Sequence, residues 1–360
     1  INEQMRITIN PLLDKIDLLN KIQKELNLEN DNLSDLLNKR TELQSLLENL
    51  KAIGVKDVVA NTFYLAEQIV ARYIKNDIGI NFNYITEESL SGTAGGVKKC
   101  QFFFNEGEDF FVLSADGVTN ADLMKGMEIH KNSGAIATIG VKPVKEEDIP
   151  NFGVVVTDSE GFITEFQEKP AIKDAKSNLI NTGIYIFNYK IFDYIPVGEF
   201  CDFAKNVFPK LLQDRQINVF PVEEYWSDIG SLDQYKQTHW DLFNNLFSFK
   251  HDKITKTETG SYICGNSHFS QGVKFVGNSV IGEGCYIGKN VTLENCILWD
   301  GVEVADNICM KDCVIASNSR VDRNLTNHII GQNERIAKFN SKHKKRLKWI
   351  KFWRKVLGRK

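Results

Sequence analysis

The sequence lacks any apolar run that approaches the roughly 20 residues of a membrane-spanning helix. Its N-terminal residues also lack the basic and then apolar order that marks a secretory signal. Both absences argue against an integral membrane or secreted protein and predict a cytoplasmic location. The chain begins at Ile1 without an initiator methionine, which is expected of a processed or partial product.

Cysteine is scarce, and its spacing is irregular. The 360 residues contain seven cysteines, an odd number without paired short spacings. This pattern argues against a disulfide framework and against a zinc site with the usual ligand spacing. Four cysteines of the C-terminal half lie among small apolar residues, so we expect them to be buried thiols. These are Cys285, Cys296, Cys309 and Cys313.

Acidic residues are nearly absent from the end of the chain. Residues 334–360 contain twelve Lys or Arg and one acid, Glu334, although the whole chain has a net charge of −3. Residues 332–360 are predicted to form a basic amphipathic helical tail, and basic helices with aromatic side chains bind anionic membranes. We therefore expect residues 335–360 to contact the inner face of a membrane. A helix packed on the protein body and a nucleic-acid contact are the alternatives, and the nucleic acid is the least favoured.

Glycine is absent from residues 1–40, where apolar residues recur at spacings of three and four. This periodicity predicts a helical hairpin within residues 1–52 whose second helix stops at Gly54. The run from Met5 to Ile9 is short and β-rich, so it also fits the central strand of a sheet.

Apolar runs alternate with helical stretches over residues 53–250. This alternation predicts an α/β, Rossmann-like domain with a sheet of parallel strands. Asp158 to Gly161 separates two β-rich runs and is predicted to be a hairpin turn. Sheets of this class bind ligands beyond the carboxyl ends of their strands, which is where an acid such as Asp116 would lie.

A spacing of six residues between apolar side chains runs from Ile263 to Leu293. It predicts a left-handed parallel β-helix of hexapeptide repeats over residues 251–331. The phase of the pattern slips near Trp299. It resumes at Val302, Ile308 and Val314. We expect the β-helix to dock on another copy of the chain, which would give a homo-oligomer.

Two acids follow β-rich runs that lie far apart in the chain. Asp116 closes the run that begins at Phe110, and Asp228 follows Trp226 and Ser227. One or two carboxylates that leave room for substrate oxygens suit Mg²⁺. Asp116 and Asp228 are therefore the candidate metal ligands and catalytic residues. A turn or helix-cap role is the structural alternative for each acid.

A lysine and several polar residues could bind a sugar phosphate. Lys169 offers a compact positive charge to a phosphate, and Glu168 can accept hydrogen bonds from hydroxyl groups. Asn181 offers both donors and an acceptor, and Thr182 and Gly183 let the backbone come close to a ligand. A surface ion pair before a proline is the structural alternative for Glu168 and Lys169.

Gly92 and Thr93 open a glycine-rich entry into a predicted helix. Small residues at this place allow a flat base to lie against the backbone, whose amides can bind its edge. A glycine-rich helix start is equally common as plain structure.

Six motifs, in order, resemble those of the sugar-1-phosphate nucleotidyltransferases. They are Leu90-Ser91-Gly92-Thr93-Ala94-Gly95-Gly96, Leu113-Ser114-Ala115-Asp116, Phe152-Gly153-Val154-Val155, Glu168-Lys169-Pro170, Asn181-Thr182-Gly183-Ile184-Tyr185 and Trp226-Ser227-Asp228-Ile229-Gly230. The resemblance covers residues 41–331. It is strongest to the mannose-1-phosphate guanylyltransferase-like members with a C-terminal left-handed β-helix.

The resemblance implies a Mg²⁺-dependent transfer from a nucleoside triphosphate to a sugar-1-phosphate, giving a nucleotide sugar for polysaccharide synthesis and pyrophosphate. It also implies a role for each site residue. Asp116 and Asp228 would bind Mg²⁺, Lys169 would contact the sugar phosphate, Glu168, Asn181 and the Gly153 backbone would hold the sugar, and Gly92 with Thr93 would border the base.

The sequence departs from this family in one place. Family members have a loop of the form Gly-Gly-x-Gly-Thr-Arg after the first strand, but residues 1–40 contain no glycine. A catalytically impaired regulatory or binding subunit is therefore the alternative function, since losing several phosphate-binding donors can silence such an enzyme. Acyl transfer by the β-helix is a weaker alternative, because its histidines, His268 and His328, are better explained as structural or surface residues.

Overall fold

The computed structural model describes residues 6–10, 42–63, 66, 79–114, 117–229, 232–247, 254–330 and 336–338. These residues form two compact units, one up to residue 247 and one from residue 254. The predicted first helix of the hairpin, Asp116 and the tail beyond residue 338 lie outside the described residues. Within the described ranges, no helix is long and apolar enough to cross a membrane.

The first unit combines a mixed sheet with helices. Its strands are β1 (Arg6–Asn10), β2 (Asp57–Thr62), β3 (Asn81–Thr86), β4 (Asp109–Ser114), β5 (Gly117–Thr119), β6 (Ala137–Pro143), β7 (Gly153–Thr157), β8 (Ile163–Glu168), β9 (Leu179–Asn188), β10 (Ile217–Pro221) and β11 (Trp226–Asp228). Its α-helices are α1 (Glu42–Ala52), α2 (Gly92–Lys99), α3 (Leu123–Ser133), α4 (Phe208–Gln213) and α5 (Leu232–Phe243). Shorter helical turns cover Gln101–Phe103, Glu146–Asn151, Ile172–Asp174, Tyr189–Tyr194 and Phe203–Val207.

The strand β1 is an interior strand of the main sheet, whose order is β10-β6-β9-β4-β1-β2-β3. It pairs in parallel with β2 on one side and with β4 on the other. The prediction that the β-rich run near Ile7 supplies a strand within the sheet is therefore confirmed. It also means that residues 6–10 are not part of a helical hairpin.

The prediction of a sheet with parallel strands holds for β1 to β4, β6 and β10, but not for β9, which runs antiparallel to both β4 and β6. The reversal of direction occurs at the tight turn between β7 and β8, which makes these two strands antiparallel. The strand β9 keeps the direction of β8, because both run antiparallel to β7. The hairpin of β7 and β8 around Asp158–Gly161 forms as predicted.

Both faces of the sheet are buried because successive side chains of each strand point to opposite faces. On β4, Phe111 and Leu113 belong to one apolar cluster with residues of α1 and α3. Phe110 and Val112 belong to the other cluster, with residues of α2 and α4. The continuous apolar run from Phe110 to Leu113 therefore reflects a strand that is covered on both sides.

The helix α1 agrees with the predicted second helix of the hairpin where it is described. Leu46, Leu47 and Leu50 are buried in the first cluster. The helix is followed by Gly54, whose φ of 88° is the left-handed conformation that glycine adopts without strain. The amide of Val55 donates to the carbonyl of Leu50, which closes the last turn.

The second unit is a parallel β-helix. Its strands are β12 (Ile254–Lys256), β13 (Tyr262–Cys264), β14 (His268–Phe269), β15 (Lys274–Val276), β16 (Val280–Ile281), β17 (Tyr286–Ile287), β18 (Thr292–Glu294), β19 (Ile297–Leu298), β20 (Glu303–Val304), β21 (Cys309–Lys311), β22 (Val314–Ile315), β23 (Arg320–Val321), β24 (Leu325–Thr326), β25 (His328–Ile330) and β26 (Ile336–Lys338). They form three sheets built from every third strand of the coil, and β12 and β26 add an antiparallel strand to each end of one of them.

The apolar column of the β-helix follows a different phase from the prediction after Leu293. Ile263 pairs with Ile281, eighteen residues later, but Ile281 pairs with Leu298, only seventeen residues later. The second coil is one residue shorter, so the strand positions shift. The column continues through Leu298, Val304, Met310 and Ile315. The predicted residues Val302, Ile308 and Val314 are buried as well, but they do not occupy these positions.

Two further predictions for this unit need correction. Cys285, Cys296 and Cys313 are buried as predicted, but Cys309 is exposed, because it precedes the inward-pointing Met310 on β21 and faces outward. Residues 336–338, predicted to begin a basic helix, form β26, which pairs antiparallel with β25. An edge strand offers unpaired backbone groups, and β26 satisfies those of β25.

The start of β4 carries a charge whose titration should affect stability. Burial raises the pKa of Asp109, but the side chains of His130 and Asn188 outweigh it, so its pKa lies below the ordinary value. The Asn188 amide donates to Asp109 at 2.8 Å, and His130 Nε2 lies 3.4 Å from the same oxygen. An acid with a lowered native pKa stabilises the fold above its unfolded pKa of about 3.9, and this contribution disappears as pH falls through the native pKa.

We expect Asp109→Asn to lower the unfolding free energy by about 1–2 kcal/mol at pH 7, because a hydrogen-bonded charge is lost. The deficit should shrink between pH 5 and pH 3. Denaturant unfolding at several pH values measures it, with Glu106→Gln, at an exposed acid nearby, as the control. A deficit that stays constant over this range would show that the charge of Asp109 contributes nothing.

Candidate active site

The described residues predicted for the site lie at one edge of the main sheet. The parallel strands β3, β4 and β6 end there at Thr86, Ser114 and Pro143. The antiparallel strand β9 begins at the same edge, where Asn181 pairs with Val141. This is the edge at which α/β sheets bind ligands.

Asp228 lies on a short two-stranded ribbon formed by β5 and β11, here called the β5–β11 ribbon. Its backbone partner across the ribbon is Gly117. The Asp228 side chain is half-buried. Asp116 directly precedes Gly117 in the sequence but lies outside the described residues. The pairing nevertheless brings together two parts of the chain that are distant in the sequence. Asp228 lies in one of them, and Asp116 directly precedes the other in the sequence.

Trp226 connects the β5–β11 ribbon to the start of β9. Its indole Nε1 donates to the carbonyl of Thr182 at 2.9 Å, and its ring contacts Phe152 with a centroid distance of 5.6 Å. The Phe152 carbonyl accepts from the amide of Lys169 at 3.2 Å. Contacts through Trp226 and Phe152 thus link Asp228, Thr182 and Lys169.

Asn181 and Thr182 differ in what their side chains can offer to a ligand. The Thr182 hydroxyl is buried and donates to the carbonyl of Gly140 at 2.7 Å. The half-buried Asn181 amide accepts from the Gly183 amide and donates to the Tyr185 hydroxyl, both at 3.0 Å. An amide has two donor hydrogens and two acceptor sites, so Asn181 keeps one of each for a hydroxyl group. Thr182 is placed to contribute through its backbone.

Lys169 has a strained backbone with no visible compensation. Its φ is 47°, a left-handed value that non-glycine residues avoid, and Pro170 follows it. Apart from Lys169 and Arg215, the non-glycine residues with positive φ in the described chain are Asn or Asp. Arg215 binds Asp158 and Glu160. The exposed Lys169 side chain makes no such contact with the described residues, and strain of this kind often marks functional sites.

Gly153 and Glu168 face each other across the β7–β8 hairpin. They are paired residues in its ladder, and the Glu168 carboxylate is exposed. A Cβ placed on Gly153 would lie 3.5 Å from the Glu168 oxygen Oε2. Glu168 can therefore reach over the Gly153 backbone, next to Lys169.

Gly92 and Thr93 belong to a second cluster, at the start of α2. The Thr93 hydroxyl donates to Asp202 at 3.1 Å and accepts from the Phe203 amide at 2.9 Å. The Cys201 carbonyl accepts from the amides of Ala94 and Gly95, both at 3.0 Å. The hydroxyl of Thr93 and the amides of Ala94 and Gly95 are thus used within the protein, and Gly92 is itself buried. The place of Gly92 and Thr93 beside a base stays a prediction.

Glu87 supports this turn, although the sequence did not indicate it. It is buried, and its carboxylate accepts from the Ser91 hydroxyl at 2.9 Å and from the Ser91 amide at 3.2 Å. The Asn61 amide donates to it at 3.3 Å. Glu88 follows directly and is exposed. The sequence of two adjacent acids does not indicate which of them is buried. From the sequence, only the presence of an acid at the end of a strand could have been noted.

The Gly92 turn is tightly enclosed. Gly92 has a φ of 85°, and a Cβ there would lie 2.3 Å from the Cys201 carbonyl oxygen. We expect Gly92→Ala to lower the unfolding free energy by about 2–4 kcal/mol, through left-handed strain and overpacking together. Gly107→Ala is the matched control, since Gly107 has a φ of 84° and nothing within 4 Å of its Cβ position. Equal losses in denaturant unfolding would contradict the close approach to Cys201.

Few side chains in the described part of the chain are placed to coordinate a metal ion. Among the described residues, no group of three or more His, Cys, Asp or Glu side chains is arranged to hold a metal ion. A Mg²⁺ site needs fewer protein ligands, because one or two carboxylates suffice when substrate phosphates supply the other oxygens. The half-buried Asp228 carboxylate, opposite the residue that follows Asp116, fits such a site.

Comparison with known proteins covers both units. The chain matches the family described as Nucleotidyl transferase over residues 32–245 and the family described as GMPPB C-terminal domain over residues 258–338. It is 34% identical over 291 residues to a UTP–glucose-1-phosphate uridylyltransferase of Synechocystis sp., which covers 71% of this chain and 74% of that protein.

Two further proteins extend the comparison. A mannose-1-phosphate guanylyltransferase of Mycobacterium tuberculosis is 27% identical over 258 residues, covering 71% of this chain and 70% of that protein. The crystal structure of HddC from Yersinia pseudotuberculosis has a TM-score of 0.52 and 21% identity, covering 65% of this chain and 97% of that one. This last likeness concerns the fold alone.

Proposed function

This chain belongs to the sugar-1-phosphate nucleotidyltransferase family, and we propose that it transfers a nucleotidyl group from a nucleoside triphosphate to a sugar-1-phosphate. The observation that carries the proposal is the pairing of Asp228 with Gly117, the residue after Asp116. The contacts of Trp226 support it, because they join this ribbon to Thr182 and Lys169.

In the proposed reaction a phosphate oxygen of the sugar-1-phosphate attacks the α-phosphorus of the triphosphate. A new P–O bond forms, the bond between the α-phosphorus and the oxygen bridging to the β-phosphorus breaks, and pyrophosphate leaves with that electron pair. The chain contributes alignment and charge neutralisation. Lys169 places an ammonium group beside the sugar phosphate, and Asn181 offers its remaining donor and acceptor to sugar hydroxyls. Glu168 accepts from another hydroxyl, and the Gly92 backbone borders the base.

Asp116 and Asp228 would hold Mg²⁺ in this site. When bound, the ion neutralises part of the charge on the phosphate oxygens. The strained backbone of Lys169 supports the assignment of a catalytic role to this lysine. A φ of 47° before a proline costs stability, and no ion pair within the described residues offsets it.

We further propose that the base is guanine and the sugar is mannose. The match of residues 258–338 to the GMPPB C-terminal domain and the similarity to the Mycobacterium guanylyltransferase support this choice. The relative from Synechocystis is a uridylyltransferase, so uracil with glucose is the competing pair.

A matrix of four nucleoside triphosphates against mannose-, glucose- and other hexose-1-phosphates, with Mg²⁺, tests the proposal by pyrophosphate release. We expect turnover, with GTP and mannose-1-phosphate giving the highest kcat/KM. A higher value for UTP and glucose-1-phosphate would replace the proposed substrates but not the reaction. No release in any pair would contradict the reaction itself.

A second candidate is a regulatory or binding subunit without turnover. The lack of glycine in residues 1–40 favours it, because the phosphate loop of the family needs glycines. Calorimetry that detects binding of a nucleotide sugar, together with silence in the matrix above, would support this candidate. Turnover that Asp228→Asn abolishes would exclude it.

Three remaining predictions concern the surroundings of the protein. We propose a homo-oligomer formed through the β-helix, a cytoplasmic location, and a membrane contact of residues 335–360. Of the last segment, the described part is Ile336–Lys338, which forms β26. Sedimentation of the full chain with and without anionic vesicles tests the oligomer and the membrane contact together.

A further inference from the structure

Lys142, near the end of β6, binds three consecutive carbonyl groups of another segment. Its ammonium group lies 3.2 Å from the carbonyl oxygen of Val222, 3.5 Å from that of Glu223 and 2.6 Å from that of Glu224. An ammonium group has three donor hydrogens. All three can be directed at this segment, so the lysine is committed to the protein and not to a ligand.

The segment that Lys142 binds leads directly into β11. Residues 222–225 join β10 to β11 without regular secondary structure, so their carbonyl groups have no ladder partners and need others. Val222 is additionally fixed by its amide, which donates to the Val141 carbonyl at 2.8 Å. The end of β6 thus holds both the amide and the carbonyl of the residue that starts this connection.

The β5–β11 ribbon cannot hold Asp228 in place by itself. Each of its strands has three residues, and isolated two-stranded ribbons are marginal even when longer. It depends on contacts outside its own ladder. Trp226 and Ser227 provide two of them, through the Thr182 carbonyl and the Thr238 hydroxyl. Lys142 provides the contact at the entry to β11.

The surroundings of Lys142 fit a charged side chain that stabilises the protein and does not bind a ligand. Burial lowers the pKa of Lys142, and the negative charge of Glu224 opposes this effect. Glu223 is turned toward Lys125, 3.4 Å from its ammonium group. The half-buried Lys142 ammonium therefore bonds to backbone oxygens in place of water.

We propose that Lys142 is a positioning residue that holds the connection before β11 and thereby sets the place of Asp228. This inference rests on the proposed function for its effect on catalysis, but its structural part is independent of it. Lys142 is not among the residues proposed to bind a substrate. It acts through the backbone of residues 222–224.

Hydrogen–deuterium exchange of the full chain tests the structural part. In Lys142→Met, amides of residues 222–228 should exchange about 10-fold or more faster than in the wild type, because their local opening is easier. Amides of the β7–β8 hairpin should be unchanged. Lys145→Met, at an exposed lysine on the same edge, is the control and should leave both regions at wild-type rates. Unchanged exchange of residues 222–228 in Lys142→Met would overturn the inference.

The kinetic part uses the same variants. Lys142→Met should lower kcat by about 10- to 100-fold, as displaced catalytic groups do, and leave KM for the sugar phosphate within about twofold. Faster exchange with unchanged kcat would overturn the link to Asp228. A wild type without turnover would overturn the proposed function, while the exchange result would still decide the structural part. If Lys142→Met does not fold, Lys142→Gln, which keeps an amide donor, carries both tests with smaller expected changes of the same sign.

Discussion

Asp228→Asn is expected to lower the rate of pyrophosphate release by about 100-fold or more. The substitution keeps the size of the side chain and removes its negative charge, which is what a metal site with one or two carboxylates depends on. The fold should be retained, because Asp228 is half-buried and its ladder bonds to Gly117 come from the backbone. Steady-state kinetics with Mg²⁺, alongside circular dichroism, provides the measurement.

The control for this variant is Glu223→Gln, which removes a carboxylate from the same part of the chain. Glu223 is exposed and pairs with Lys125 at 3.4 Å, and exposed ion pairs contribute little. Its activity should stay within about twofold of the wild type, since its charge pairs with Lys125 and has no role in the proposed reaction. An Asp228→Asn variant that works as well as this control would remove Asp228 from the site.

Lys169→Gly is expected to raise stability and abolish activity at the same time. A non-glycine residue in the left-handed region costs about 1–2 kcal/mol, and glycine adopts it freely. Glycine also loses more freedom on folding, so the net gain should be about 0.5–1 kcal/mol. Loss of the ammonium group that we propose to contact the sugar phosphate should lower kcat/KM by about 100-fold or more.

Lys169→Met separates the two effects. It removes the charge but keeps the Cβ, and with it the strain at a φ of 47°. It should therefore lose the same activity as Lys169→Gly without the gain in unfolding free energy. Denaturant unfolding and kinetics of both variants provide the measurement. A glycine variant less stable than the methionine variant would show that the backbone of Lys169 is not strained.

The sequence alone was enough to predict the strands of the main sheet and the end of those strands at which a ligand is expected. Apolar runs such as Phe110 to Leu113 predicted strands of an α/β sheet, and the β-rich run from Met5 to Ile9 predicted β1. The polar residues after these runs predicted where ligands bind. The strand predictions succeeded because they depend on local composition. The place of the ligand rests on a geometric rule for parallel sheets and stays a prediction.

The features that the sequence did not predict depend on contacts between distant residues. The antiparallel direction of β9 is set in its pairing with β4 and β6, which are distant in the sequence, and the exposure of Cys309 follows from the length of one coil of the β-helix. The pairing of Thr182 with Gly140 and of Lys142 with residues 222–224 joins parts of the chain that are 42 and about 80 residues apart. No local pattern marks the partner of a threonine or a lysine.

The most direct test of the account follows an isotopic label. With ¹⁸O in the non-bridging phosphate oxygens of the sugar-1-phosphate, attack on the α-phosphorus keeps every labelled oxygen in the nucleotide sugar. Mass spectrometry of the products should therefore find the full label in the nucleotide sugar and none in pyrophosphate. Label in pyrophosphate, or no nucleotide sugar from any substrate pair, would contradict nucleotidyl transfer by this chain.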